Sequence, residues 1–169
     1  MGPRRAIIAV YALSWVGIIC IIGAIVLAPL LKVRHPQLSG FLYVLFAPFC
    51  HQIPARCFPL AGFPLAVCAR CFGIYAGFGA GLILYPFRRG FREVLPPAMR
   101  AFLLISGSIA IDVAGNMLRL WDSSSWLRFG LAVLWGTFLP FFFVTGLVDA
   151  WDQVRRRQRE PEARGAVRS

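Results

Sequence analysis

Four long apolar runs constrain the fold of this chain more than any other feature of its sequence. The first, at about residues 6–31, holds no charged residue, and the others cover about 63–85, 98–121 and 126–150. Each is close to the roughly 20 residues that a helix needs to cross the hydrocarbon of a bilayer. With 59% hydrophobic residues overall, the sequence predicts an all-α polytopic membrane protein whose four transmembrane helices form one domain, residues 1–152.

Two of the segments outside these runs are distinctive. The long connection at residues 32–62 contains an apolar, aromatic piece at 41–49, which is too short to span a bilayer and is expected to form a half-buried helix. The final residues, 153–169, are charged and poor in apolar side chains. They predict a basic cytoplasmic tail that is disordered or lies on lipid.

The basic residues are distributed unevenly around the runs. The chain has 18 Lys and Arg against 7 Asp and Glu, and most of the basic residues flank the termini and the loop near 86–97, which four crossings put on one side. The positive-inside rule predicts a multi-pass protein of the cell (inner) membrane with both termini cytoplasmic and residues 32–62 outside. Because these charges orient the chain and attract lipid headgroups, the lipid bilayer is the expected partner and nucleic acid is not.

Cysteine and histidine are concentrated where the second run begins on the outer side. Cys50 and His51 lie in the outer connection, and Cys68 and Cys71 follow with two residues between them. Two thiols at that spacing can bind one ion, and Cys50 and His51 supply the remaining ligands of a tetrahedral set. The sequence therefore predicts a metal site at the extracytoplasmic face, with zinc as the first expectation and iron as the second.

The same thiols allow two other interpretations. In an oxidising compartment, Cys50 with Cys57 and Cys68 with Cys71 would form disulfides, and the chain would be a quinone-linked thiol–disulfide oxidoreductase. Alternatively, the disulfides are purely structural, and the chain is an accessory subunit that binds other membrane-protein subunits. Spacing alone does not distinguish ligation from a disulfide, so whether the chain is an enzyme stays open.

Polar side chains interrupt the later runs. Arg70, Asp112 and Asn116 lie within them, and Arg128 is near the start of the fourth. A charge inside the hydrocarbon is costly unless it is paired or solvated, and Asn116 is one helical turn from Asp112 on the same face. These groups, together with Arg56 of the outer connection, are expected to converge in a polar pocket beneath that connection. The alternative is an Arg70–Asp112 ion pair that only joins two helices.

The second run also carries glycines at a spacing of four residues. Gly73, Gly77 and Gly81 lie on one helix face, and such a smooth face lets a neighbouring helix approach closely. The pattern predicts tight helix packing there.

A longer motif consists of Cys50-His51-Gln52, then Arg56, then residues 68–77 with the sequence CARCFGIYAG. It resembles the pattern CHQ…R…CxRCxGxYxG of an uncharacterised family of predicted membrane proteins, domain of unknown function 2085. Its later helices carry an Asp with a Gln four residues on, and a Ser-Thr-Asn-x-x-Arg run. Here Asp112 matches, Asn116 stands in for the Gln, and residues 123–128 fit the last run. The resemblance brings no assigned reaction, but it implies that one set of residues acts together: Cys50, His51, Arg56, Cys68, Arg70, Cys71, Asp112 and Arg128.

Overall fold

In the computed structural model, the described residues are 3–89 and 99–166. They form five α-helices in chain order: α1 (Pro3–Leu30), α2 (Pro36–Phe46), α3 (Ala69–Arg89), α4 (Met99–Met117) and α5 (Ser125–Ala166). Between α2 and α3 lie a 3-10 turn (Pro54–Arg56) and an antiparallel hairpin of two short strands, β1 (Pro59–Leu60) and β2 (Phe63–Pro64). The mostly helical fold agrees with the prediction, apart from the hairpin. Most of the predicted loop near 86–97 lies outside the described residues.

Two of the helices are long and apolar enough to cross a bilayer. The segments that meet this test among the described residues are Ile7–Leu30 in α1 and Ser125–Val144 in α5. Both lie within runs predicted as spans. α3 and α4 are less apolar because glycine, arginine and aspartate lie within them. Four crossings therefore stay a prediction.

The helix predicted for the second run starts later than expected. Its start at residue 63 falls in the hairpin, where Pro59 pairs with Pro64 and Leu60 with Phe63. Ala61 and Gly62 make the turn with positive φ angles of 52° and 83°, the conformation that a tight two-residue hairpin requires. α3 therefore starts at Ala69, and the preceding segment folds over the outer end of the helices.

The outer helix and the tail also differ from the prediction. The short helix, expected at 41–49, begins earlier as α2 and buries Ser39 and Phe46 while exposing Phe41 and Val44. The tail, expected from residue 153 to be disordered or to lie on lipid, continues α5 as a helix to Ala166. Its sequence is rich in Arg, Gln, Glu and Ala, which favour helix. Residues 167–169 lie outside the described part.

α3 packs most closely against α5. A Cβ atom added at Gly77 would lie 2.3 Å from the carbonyl oxygen of Val133, and one at Gly81 would lie 2.3 Å from that of Thr137. On α5, Gly136 makes the reciprocal approach, with its added Cβ 2.5 Å from the carbonyl oxygen of Ile74. The two backbones are thus in direct contact, as the glycine spacing predicts.

An apolar core lies at the outer end, where α1, α2, the hairpin and α3 meet. Its buried residues are Ile25, Ala28, Phe46, Cys50, Leu65, Ala66 and Val67. The Ser39 hydroxyl donates to the carbonyl of Ala28 at 2.7 Å, which ties α2 to α1. This core holds the outer connection in place and buries the first cysteine of the motif.

Candidate functional site

Three thiols from separate segments meet at the outer end of α3. The sulfur atoms of Cys50, Cys68 and Cys71 all lie within 4.8 Å of one another. Cys50 is 5% exposed, and the other two are partly buried. Distances of this size allow the three sulfurs to coordinate a single ion, since Zn–S bonds are about 2.3 Å long.

Local structure explains why the thiols converge. Cys50 follows α2, and its backbone N–H donates to the carbonyl of Phe46 at 3.0 Å. Cys68 immediately precedes α3, where its carbonyl accepts the N–H of Phe72 at 2.9 Å, and Cys71 lies in the first turn. The N–H of Cys68 donates directly to Sγ of Cys50 at 3.1 Å. The end of one helix and the start of another thus deliver the sulfurs to one point.

His51, predicted as a metal ligand, is not part of the three-thiol group. It is exposed at the rim of the adjoining cavity. The chain leaves helical conformation after α2, and neighbouring side chains on non-helical backbone point in different directions. Cys50 is buried in the apolar core while His51 is exposed, so the two neighbours lie in different surroundings.

Cys57 also lies outside the group. It is buried, and its thiol donates to the carbonyl of Ile53 at 3.2 Å. All five cysteines are free, so the alternative disulfide between Cys50 and Cys57 is not formed here. Burial, followed by the nearby sulfurs of Cys68 and Cys50, raises the pKa of the Cys57 thiol to about 11. This thiol therefore stays protonated at neutral pH.

The Cys68 thiol has the opposite tendency. It precedes the first residue of α3, and hydrogen bonds to its sulfur, that of the Cys71 side chain first among them, lower the pKa of the Cys68 thiol below its ordinary range despite burial. Thiolates are the form that binds metal and attacks disulfides. Cys68 is therefore the most readily ionised member of the group.

Hydrogen bonds from the side chain of Gln52 hold the segment between α2 and α3 in place. Its side-chain amide donates to the carbonyls of Tyr43, at 2.7 Å, and Ala66, at 2.8 Å, and so links α2 to the segment before α3. The Tyr43 hydroxyl adds a short hydrogen bond to the carbonyl of Pro64. Gln52 itself has a positive φ of 51°. Its place in the Cys-His-Gln string was visible in the sequence, but its bridging role was not.

A cavity of about 270 Å³ opens beside the three thiols. Its lining includes the three cysteines, His51 and the guanidinium-bearing residues Arg56, Arg70 and Arg128. The chain thus brings all three arginines of the predicted polar pocket to the same cavity, although they come from the outer connection, α3 and α5.

A polar network lies behind two of these arginines. Arg70 forms an ion pair with Asp112 across α3 and α4, and the carboxylate also accepts from the hydroxyl of Ser123. The Asn116 amide donates to the carbonyl of Asp112 at 2.6 Å and to the Ser123 hydroxyl at 2.9 Å. Ser123, assigned no role from the sequence, connects the α4–α5 link to this network.

Arg128 is the most deeply placed cation of the network. It is 4% exposed, and its Nη2 donates to the side-chain oxygens of Asn116 and Asp122, both at 2.6 Å. Its Nε is buried and has no hydrogen-bond partner within the described residues. The charge of Arg128 is paired with that of Asp122, but a buried N–H donor without an acceptor is itself costly.

These motif residues coincide with a known family. The family model described as a predicted membrane protein, domain of unknown function 2085, matches residues 50–142. The chain belongs to this family. A relative, an uncharacterised protein of Methanocaldococcus jannaschii, is 34% identical over 107 residues, which are 63% of this chain and 69% of the relative. No solved structure matches the chain significantly. This match confirms the resemblance seen in the motif. The chain is a membrane protein of a family whose description assigns no reaction.

Proposed function

We propose that the chain is a small integral membrane protein that binds a metal ion through the thiolates of Cys50, Cys68 and Cys71 at its extracytoplasmic face. The observation that carries this proposal is the mutual approach of the three sulfurs to within 4.8 Å. In the proposed arrangement α1, α3, α4 and α5 cross the membrane, and both termini are cytoplasmic.

Exposed apolar side chains support four crossings. Leu13 on α1 is 68% exposed, and on α4 Leu104 is 74% and Ile111 is 65% exposed. Water would leave these side chains unfavourably hydrated, whereas lipid tails would cover them. Asp112 of α4 is instead buried, at 7% exposure, which is the pattern expected for an ionisable group inside a bilayer.

The chemistry of the donors favours zinc. Thiolates suit zinc, copper(I) and iron–sulfur chemistry, and zinc accepts three protein ligands while leaving a fourth position open. Here that position would face the cavity, with His51 at its rim able to supply the fourth ligand after a rotation of its side chain. The metal would also hold the outer connection onto α3.

Elemental analysis of purified protein in detergent tests the proposal. We expect about one zinc ion per chain in wild type and its loss in Cys68→Ser, because removal of one sulfur leaves two ligands. Cys20→Ser is the matched control, because Cys20 is an exposed thiol in α1, outside the group. A wild-type protein that remains free of metal after incubation with zinc, while its helical content is native, would rule the site out.

A thiol–disulfide oxidoreductase is the second candidate, and the same proximity favours it. Cys68 and Cys71 can form a disulfide by releasing two protons and two electrons to a quinone, which becomes a quinol. Cys50 is near enough to attack that bond and form a mixed disulfide with one of the two sulfurs. The three thiols thus provide a redox-active pair, Cys68 and Cys71, and a third thiol, Cys50, that can attack the disulfide of that pair.

Thiol trapping separates the two candidates. A metal site predicts that Cys68 and Cys71 react with an alkylating reagent only after a chelator has removed the ion. The redox candidate predicts that their alkylation disappears on addition of a quinone and returns on addition of a reductant, with no effect of the chelator. The accessory-subunit hypothesis stays a prediction, and co-purification of a stable protein partner in mild detergent would test it.

A further inference from the structure

The cavity beside the thiols has a marked excess of positive charge. Arg56, Arg70 and Arg128 all line it, and among the described residues around it there is no aspartate or glutamate. The carboxylates that pair with two of these arginines, Asp112 and Asp122, lie outside the lining. The three guanidinium groups outnumber the readily ionised thiol of the lining, Cys68, so the surface that a ligand would meet keeps an excess of positive charge.

Each arginine retains donors that the protein does not use. A guanidinium carries five N–H groups in a fixed fork. Within the described residues, Arg70 pairs with Asp112 through Nη2 alone, and Arg128 also uses only Nη2, with its Nε buried and unpartnered. Arg56 forms no ion pair with any described carboxylate. The three side chains thus offer several free donors around one space.

The start of α3 adds to this potential. Cys68, Arg70 and Cys71 border the cavity, and the 21-residue helix begins at Ala69. Its N-terminal end carries a partial positive charge and backbone N–H groups that have no partner within the helix. An anion in the cavity would meet both the guanidinium groups and the helix end.

From these observations we propose that the cavity binds a phosphate-class oxyanion, either free or as the headgroup of a lipid. Three guanidinium forks suit an anion with more acceptor oxygens than the two of a carboxylate, and arginine is the side chain best matched to phosphate geometry. A volume of about 270 Å³ admits a phosphate group with its first substituent. An oxygen of the anion would also supply the acceptor that the buried Nε of Arg128 lacks among the described residues.

This proposal is independent of the metal site. The arginines and the helix end provide the binding energy whether or not the thiols hold an ion. Phosphate binding is therefore measured twice, by titration calorimetry of the purified protein with inorganic phosphate, first after chelator treatment and then after loading with zinc.

We expect saturable binding of one phosphate per chain in both states, about tenfold weaker in Arg56→Gln. Arg56 is the decisive position because it is exposed and lies in a short turn, so its replacement leaves the fold intact. The matched control is Arg34→Gln, which removes the same charge from an exposed outer position that does not line the cavity. Arg128→Lys, which keeps the charge and removes the fork, should weaken binding as well.

Three results would overturn the proposal: no saturable binding at millimolar phosphate, equal weakening in Arg34→Gln and Arg56→Gln, or binding that requires zinc and is unaffected by Arg56→Gln.

Competition with short-chain phosphatidic acid identifies the source of the anion. Displacement of bound phosphate by this lipid supports a headgroup ligand, and a lack of displacement supports free phosphate. Loss of metal in the cysteine variants without loss of phosphate binding would separate failure of the metal site from failure of this one.

Discussion

α5 makes two very different contacts, one with α3 and one with α4. Against α3 the backbones touch, because Gly77 and Gly136 leave no side chain between them. Against α4 large rings intervene, with the Phe102 and Trp135 rings stacked at 5.8 Å and the indole N–H donating to Ser106 at 2.9 Å. Near Asp112, α4 is joined to α3 by the Arg70–Asp112 ion pair and to α5 by the hydrogen bond from Arg128 to Asn116.

The difference separates a rigid contact from an adjustable one. Backbone contact depends on shape and is independent of charge, whereas the position of α4 depends on pairing between Arg70 and Asp112. Because Arg70 also lines the cavity, α4 is coupled to the candidate site in a way that the α3–α5 contact is not. Substitutions in the two regions should therefore differ in both size and readout.

The largest loss is expected from Asp112→Asn. This change leaves Arg70 without its anion, and removal of one partner from a buried pair costs about 3 kcal/mol, the low end of the usual range because the side chain of Arg70 is 23% exposed. Thermal unfolding in detergent measures the effect. Ser108→Ala on the same helix is the control: its exposed hydroxyl donates only to the carbonyl of Leu104 within α4, so the loss should be clearly smaller. Equal losses in the two variants would contradict a special role for the Arg70–Asp112 pair.

The second effect is on the rigid contact. Gly77→Ala places a methyl group against the backbone of Val133, and overpacking of this kind costs about 2 kcal/mol. Gly79→Ala, two residues further on, meets nothing within 4 Å and should leave stability unchanged or raise it, since alanine favours helix over glycine. The same unfolding assay compares them. Similar melting temperatures for both variants would show that α3 and α5 are not in close contact.

The third effect concerns the outer segment. Gln52→Glu removes two N–H donors from the carbonyls of Tyr43 and Ala66, which should cost about 1.5 kcal/mol and speed proteolysis between residues 47 and 67. Gln37→Glu makes the same chemical change at an exposed position on α2 and should leave the cleavage rate near that of wild type. If Gln52→Glu is cleaved no faster than this control, the bridge does not hold the segment.

The smallest effect is expected from Cys57→Ser. The serine hydroxyl can still donate to Ile53, so stability should change by less than about 1 kcal/mol, and metal content should not change. In wild type, the raised pKa of about 11 keeps this thiol protonated at pH 8, so alkylation of Cys57 should be slow and should accelerate only as the pH approaches 11. Rapid alkylation at pH 8, measured by peptide mass spectrometry, would contradict the buried position.

The sequence predicted the helices well where a long apolar run or a glycine row was present, and less well where short apolar pieces meet. Residues 58–67 are apolar and were assigned in part to a span, yet they fold as a hairpin. Short apolar runs are compatible with helix or strand, and the positive φ angles of Ala61 and Gly62 depend on packing over α1. The helical tail shows the converse, because low hydrophobicity suggested disorder while the residues themselves favour helix.

At the site, the sequence predicted which residues take part better than it predicted how their side chains are placed. The motif identified the cysteines and arginines that line the cavity, since charged and thiol side chains are conspicuous in an apolar chain. It did not reveal that Cys50 is buried while His51 is exposed at the rim of the cavity, because that depends on where α2 ends. The bridging by Gln52 and Ser123 was also invisible, since each donates to groups that only the folded chain brings near.

The length of α5 has a mechanical consequence. At 42 residues and a rise of 1.5 Å per residue, it is about 63 Å long, roughly twice the thickness of the hydrocarbon layer. If the helix crosses the membrane as proposed, about half of it forms an arm beyond the bilayer. A tilt of about 10° at the cavity end would swing the far tip by about 11 Å, so small motions beside the thiols become large displacements on the opposite side.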